Sequence, residues 1–288
     1  MTLRSPIVIL MVSLLAGLGG SVAVADTSCK DCHAEKATAP VLHPAVAMGC
    51  ESCHRDVHPK NDPKKKSQLM EQGERLCFLC HDAARYKTGT RVHPPAADGS
   101  CLYCHDPHGS DASALLRPDM PALCVNCHNR EALLDRYVHG PVMIGNCMAC
   151  HEPHTADFPG LLKTALPALC QRCHRLSRFL GRSIHAPVRD GACLLCHKPH
   201  AADNRELLVT TGNGLCLQCH GAIARAPHAV SAGGGRGGHI LQGDKDPRRR
   251  GRPFGCTSCH EPHRSDSRRL FRYSAEESAG LCTACHRK

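Results

Sequence analysis

Residues 185–220 read HAPVRDGACLLCHKPHAADNRELLVTTGNGLCLQCH, and this segment decides the architecture because it recurs. Residues 93–128 (HPPAADGSCLYCHDPHGSDASALLRPDMPALCVNCH) and 139–174 (HGPVMIGNCMACHEPHTADFPGLLKTALPALCQRCH) have the same plan, and His93, His139 and His185 stand 46 residues apart. Each copy has a leading His, a Gly-x-Cys-x-x-Cys-His-x-Pro-His segment or a close variant, and a closing Leu-Cys-x-x-Cys-His or its variant. Looser copies run from His43 to His81 and from the region before Cys256 to His286, and a single Cys-x-x-Cys-His at Cys29 precedes them. Repetition of this kind predicts a modular, elongated stack in which each unit contacts mainly its neighbours. The expected boundaries are a leader at 1–25, a single-motif segment at 26–42, and two-motif units at 43–92, 93–138, 139–184 and 185–227. A Gly/Arg-rich insertion at 228–255 and a fifth unit at 256–288 complete the chain.

All 22 cysteines belong to the motif. The pairs are Cys29 and Cys32, Cys50 and Cys53, Cys77 and Cys80, Cys101 and Cys104, Cys124 and Cys127, and Cys147 and Cys150. They continue with Cys170 and Cys173, Cys193 and Cys196, Cys216 and Cys219, Cys256 and Cys259, and Cys282 and Cys285. The histidines that follow are His33, His54, His81, His105, His128, His151, His174, His197, His220, His260 and His286. Two thiols one turn apart add to the two vinyl groups of a porphyrin, and the next His binds iron from one axial side. The pattern therefore reads as covalent attachment of eleven c-type haems. A disulfide framework or zinc sites would also use paired cysteines, but neither explains a His after every second Cys. With 22 histidines in 288 residues, that placement has a chance probability on the order of 10⁻¹² under the motif's spacing.

Eleven histidines lie outside the motifs: His43, His58, His93, His108, His139, His154, His185, His200, His228, His239 and His263. The count matches one further axial ligand per iron and permits His/His ligation throughout. In the segments His105–His108, His151–His154, His197–His200 and His260–His263, a Pro disfavours helix at the residue before it, so the motif helix should stop near the first His. Three residues span at most about 11 Å, too little to lead the chain around a porphyrin rim. The second His is therefore expected to ligate a neighbouring haem. The leading His of the last unit is either His228 or His239, because an inserted stretch precedes Cys256.

With no Trp, five Phe and four Tyr, the chain is short of the bulky side chains that fill a core. Haem faces are expected to supply the apolar interior. The expected fold is mostly irregular, with short helices at the motifs, little or no β-structure, and further helical turns at Glu131–Tyr137 and Leu176–Leu180. Residues 1–25, with Arg4, an apolar run and Ala23-Val24-Ala25 before Asp26, read as a cleaved signal peptide. No later segment is apolar enough to span a bilayer. An exported protein follows, periplasmic or carried to the cell surface. Formal charge is +10, but loss of Arg4 and addition of haem propionates bring the holoprotein to roughly −2 oxidised and about −13 reduced. Nucleic acid is not an expected partner. The stretches Lys60–Lys66 and Ser231–Pro253 (with GGGRGG and PRRRGRP) read as exposed flexible loops, either docking an acidic redox partner or simply solvated.

With these motifs, nearly the whole mature sequence resembles the doubled-CXXCH family of multihaem c-type cytochromes. The likeness rests on the His-x-Pro-Val start at His185 (with His139 close to it), the Gly-x-Cys-x-x-Cys-His-x-Pro-His segment and the Leu-Cys-x-x-Cys-His close. The resemblance implies electron transfer among extracytoplasmic redox partners. These include an inner-membrane quinol oxidase or reductase, or an outer-membrane porin in which a cytochrome conduit sits. Two other readings stay open: an oxidoreductase with one open-site haem acting on a nitrogen or sulfur oxyanion, and a subunit of a cytochrome filament. No altered motif such as Cys-x-x-Cys-Lys marks an open site, and the oligomeric state is not legible.

Overall fold

The computed structural model describes residues 28–55, 68–117, 120–225, 228, 239–273 and 280–286. The leader, His58, the Lys60–Lys66 run and the glycine run at 233–238 lie outside the described residues. Gly and Pro interrupt the chain so often that most α-helices have four or five residues, the longest described being Gly212–His220 with nine. At the motifs the backbone makes one turn and stops. The His amide bonds to the carbonyl of the first Cys, as in His105 to Cys101 (3.0 Å), His151 to Cys147 (3.1 Å) and His197 to Cys193 (3.0 Å). The turns expected at 131–137 and 176–180 are single 3₁₀ turns, Glu131–Leu133 and Leu176–Arg178. Tyr137 and Val138 are already extended.

The small amount of β-structure joins the repeats. Strands of two residues pair antiparallel: Val41–Leu42 with Gly109–Ser110, Arg91–Val92 with Thr155–Ala156, Tyr137–Val138 with Ala201–Ala202, and Ser183–Ile184 with Arg264–Ser265. In each case the strand before a leading His meets the strand after the His-x-Pro-His segment of the next unit. A fifth pair, His54–Arg55 with Gln68–Leu69, closes a local hairpin. Isolated pairs this short are marginal by themselves, so something beyond the ladder must hold the units together. Apolar packing of the polypeptide does not. Among the described residues only Ala201 and Ala202 are buried hydrophobics, while Leu102, Tyr103, Met143, Ile144 and Leu195 are all more than half exposed.

Gly145 and Gly191 explain the glycine two residues before the first Cys of a motif. Both have left-handed backbone, φ +71° and +72°. A Cβ at either would stand 2.7 or 2.8 Å from the ring of Pro121 or Pro167. The turn thus needs both positive φ and a bare Cα.

Residues 239–255 form an ordered loop rather than the loose one that their Gly, Pro and Arg content suggests. They wrap around Asp246, whose side chain is only 1% exposed. Its carboxylate accepts from the amides of Arg248 (2.8 Å) and Arg249 (2.9 Å), from Arg249 Nε (2.8 Å) and from Ser258 Oγ (2.6 Å). Arg249 also donates to Thr257, and Arg252 to Glu206 of the preceding unit. Asn213 clamps the loop from that side, donating to Leu241 and accepting from the amide of Cys256. Burial alone would push the Asp246 carboxyl up, but these bonds outweigh it and hold the group at about 2.

Two outcomes follow. Gly191→Ala should lower the denaturant midpoint of the holoprotein by the equivalent of about 1–2 kcal/mol for the left-handed backbone, and more where the Pro167 contact does not relax. Asp246→Asn should weaken amide-exchange protection over residues 243–258 by about 2 kcal/mol at neutral pH. In the unmodified chain that contribution is complete above the ordinary carboxylate value of 3.8 and fades as pH falls through about 2. Exchange measured at pH 6 and at pH 2.5 checks the sign.

Candidate haem sites

The motif His of four units is fixed by the same local device. After His105, His151, His197 and His260 the chain runs out through Pro and returns. The amides of Arg117, Lys163, Val209 and Arg272 bond to the second Cys of each motif, Cys104, Cys150, Cys196 and Cys259. The return is tightened by two consecutive left-handed residues: Ala114–Leu115, Gly160–Leu161, Glu206–Leu207 and Arg269–Leu270. The carbonyl of the first residue in each pair accepts Nδ1–H of the motif His, at 2.8 Å from Ala114, 2.7 Å from Gly160, 2.8 Å from Glu206 and 2.8 Å from Arg269. Non-glycine residues held at positive φ are strained and persist where the surroundings over-determine them. Here the strain aims a carbonyl that reserves Nδ1 and leaves Nε2 for a metal. Sequence reasoning missed this turn. Its signal is the repeated Asp-x-x-x-Leu-[Leu/Phe] at Asp111, Asp157, Asp203 and Asp266.

The leading histidines and the second histidines of His-x-Pro-His are set on one ladder. The amides of His43, His93, His139 and His185 bond to the carbonyls of His108, His154, His200 and His263 at 2.8, 2.8, 2.8 and 3.1 Å. His139 and His185 also place Nδ1 3.0 and 3.1 Å from the carbonyls of Pro199 and Pro262. Nδ1 of His43 is buried without a hydrogen-bond partner. The two histidines of each rung point to different places.

Ring by ring, the spare histidines face motif histidines. The pairs are His43 with His81, His54 with His108, His93 with His128, His105 with His154, and His139 with His174. They continue with His151 and His200, His185 and His220, His197 and His263, His228 and His260, and His239 and His286. Ring centroids in these ten pairs are 5.8–6.3 Å apart. A metal–imidazole bond is about 2.0–2.1 Å and the nitrogen lies roughly 1.1 Å from the ring centre, so two imidazoles on opposite sides of one metal have centroids about 6.2 Å apart. The spacing therefore fits one metal between each pair. The donor set is two imidazoles, and no cluster of three or more His, Cys, Asp or Glu suited to a metal occurs among the described residues. Such a donor set fits a metal that carries its own in-plane ligands, as a porphyrin iron does. Burial, helped by the facing imidazole, pushes His43, His154, His200, His228 and His263 below the ordinary histidine value. That favours the neutral form a metal requires.

This pattern refines the expected cross-ligation. The second His of His-x-Pro-His meets not the adjacent motif but the motif two earlier: His108 faces His54, His154 faces His105, His200 faces His151 and His263 faces His197. The leading His skips one motif forward, as in His93 to His128. His33 lies 3.8 Å from Glu35. Its count-matched partner, His58, is outside the described residues.

The cysteines, none of them in a disulfide, set the order of the sites. First cysteines of adjacent motifs stand beside one another in the pairs Cys29–Cys50, Cys77–Cys101, Cys124–Cys147, Cys170–Cys193 and Cys216–Cys256. Between these pairs, Cys53 lies within electrostatic reach of Cys77, Cys104 of Cys127, Cys150 of Cys170, Cys196 of Cys216, and Cys259 of Cys285. Each motif thus neighbours the next, and sequence order is spatial order from Cys29 to Cys285. Aromatic side chains fill some of the steps: Tyr86 sits edge-on to His154 at 4.9 Å with its hydroxyl 3.5 Å from His81 Nδ1, and Phe179 lies 6.0 Å from His263.

Comparison with known proteins agrees with this geometry. The doubled CXXCH motif family matches five times, over residues 43–86, 93–133, 139–178, 185–225 and 247–288. A multiheme cytochrome, MtrA of Shewanella baltica (strain OS185), is 32% identical over 107 residues, which cover 35% of this chain and 31% of the relative. The chain thus aligns with about a third of that cytochrome's length. Five tandem matches spanning well over half of the sequence, on a chain whose repeats bring histidines together in iron-sized pairs, make this protein a member of the doubled CXXCH motif family of multihaem c-type cytochromes.

Proposed function

We propose that this protein is an exported electron conduit that carries eleven covalent haems, each held between two histidines. The observation that supports it best is the set of ten facing imidazole pairs at 5.8–6.3 Å. Haem c, when bound, supplies reversible one-electron exchange at its iron. What remains is the work of the chain. The cysteines anchor each cofactor, and the motif histidine, oriented through Nδ1, takes one axial side. The facing histidine, from the same unit or the next, would hold the iron from the other side and shut out water and small substrates. By count, His33 and His58 form the eleventh pair.

Cross-unit delivery also supports conduction rather than chemistry at a single centre. A ligand brought from the next repeat pins adjacent sites together, and contact between neighbouring motif cysteines keeps successive cofactors close. The partners on this reading are redox proteins that meet the exposed ends of the series. The signal-like leader supports export, to the periplasm or onward to the cell surface.

Haem quantification with optical and EPR spectra of the purified ferric protein tests the reading. Eleven haems per chain, all low-spin, are expected. A high-spin signal worth one haem would overturn full His/His ligation and turn attention to oxyanion reduction at the open iron. The pairing has its own test. The reduced wild-type protein should bind no carbon monoxide, whereas His108→Ala should bind one molecule per chain, because His54 then faces an open side. His58→Ala should do the same through His33.

A further inference from the structure

The ten imidazole pairs are of two kinds. In eight of them the ring planes lie 7–39° apart. In the last two, His228 with His260 and His239 with His286, they cross at 70° and 73°. The cause is topological. A distal His in the repeats sits on the ladder joining one unit to the next, which fixes its ring through the backbone. The fifth unit instead takes both of its distal histidines, His228 and His239, from the insertion.

His239 is held differently from its counterparts. Its ring packs at 5.6 Å on Phe254, and its Nδ1 lies 2.9 Å from the carbonyl of its own neighbour Ile240. His260 rests at 5.1 Å on Phe271, which takes the place of Leu116, Leu162 and Leu208 in the other units. The same loop brings charge. Between residues 239 and 255 stand Lys245, Arg248, Arg249, Arg250 and Arg252 against Asp244 and Asp246. Asp246 acts on both Cys259 and Cys285, ahead of the opposing Arg249 and Arg248, so acid and base offset each other there.

We propose that the insertion acts as a potential-setting device, making the two haems attached at Cys256 and Cys282 the most easily reduced of the series. The inference rests on the two-histidine reading above. Parallel imidazole planes push one of the two iron π orbitals above the other, which stabilises the ferric state with its vacancy in the upper orbital. Crossed planes even out the two orbitals and remove that preference. The ligand arrangement thus favours reduction at the C-terminal end. The insertion then does more than supply the facing histidines: it makes that end the place where electrons collect.

A potentiometric EPR titration of the intact holoprotein tests this. Crossed planes give a highly anisotropic low-spin signal with one large g-value, distinct from the three-line rhombic spectrum of near-parallel planes. The expected result is such a signal integrating to two haems per chain and disappearing first as the protein is reduced. Phe254→Leu should then move one of these haems to the rhombic class and lower its midpoint, with the haem count and the low-spin total unchanged. A spectrum without the large-g signal, or one in which it disappears last, overturns the proposal. High-spin iron in the wild-type protein would instead overturn the two-histidine reading, so the two failures are distinguishable, and the wild-type titration decides even if the variant does not fold.

Discussion

Two imidazoles that must face each other about 6 Å apart impose the constraint on which the rest of this structure depends. A motif histidine cannot be paired from its own short segment, because the following Pro and the brief reach of three residues keep the next histidine away from the opposite face. The partner has to come from outside that segment. Once His108 is committed to His54 and His154 to His105, the units interlock, and two-residue strands suffice as fasteners because they are not carrying the assembly alone.

This arrangement explains a fold that looks unfinished by the standards of ordinary domains. Among the described residues most helices end after about one turn, strands have two residues, and hardly any apolar side chain is buried. What is regular is the set of positions where imidazoles, thiols and carbonyls must stand. Left-handed pairs such as Glu206–Leu207 and the glycines at 145 and 191 hold uncommon backbone geometry at those positions, as strained residues do where function over-determines the chain.

The last two sites draw their facing histidines from the insertion before Cys256. Residues 239–255 fold around Asp246, and His228 and His239 stand opposite His260 and His286. A stretch that reads as a solvated, arginine-rich loop is thus partly built into the last two sites. Its arginines are spent on Asp246, Glu206 and Tyr273 as well as on solvent.

Much of this was legible in the residues alone. The cysteines and the histidine after each pair determined the chemistry, because thioether attachment demands that spacing. The equal number of spare histidines determined that two could serve each iron, and the 46-residue period determined a stack of like units. The shortage of aromatic and bulky side chains already ruled out a conventional core. Which histidine meets which motif was decided only by tertiary structure, since skipping one motif depends on how the His43–His108 type of rung turns its two rings apart. The same is true of the carbonyl turns, which hide in leucine-rich stretches, and of the crossed rings at the C-terminal end. Local spacing governs covalent attachment, but the angle and partner of an axial ligand depend on a second segment, whose placement is a property of the folded chain.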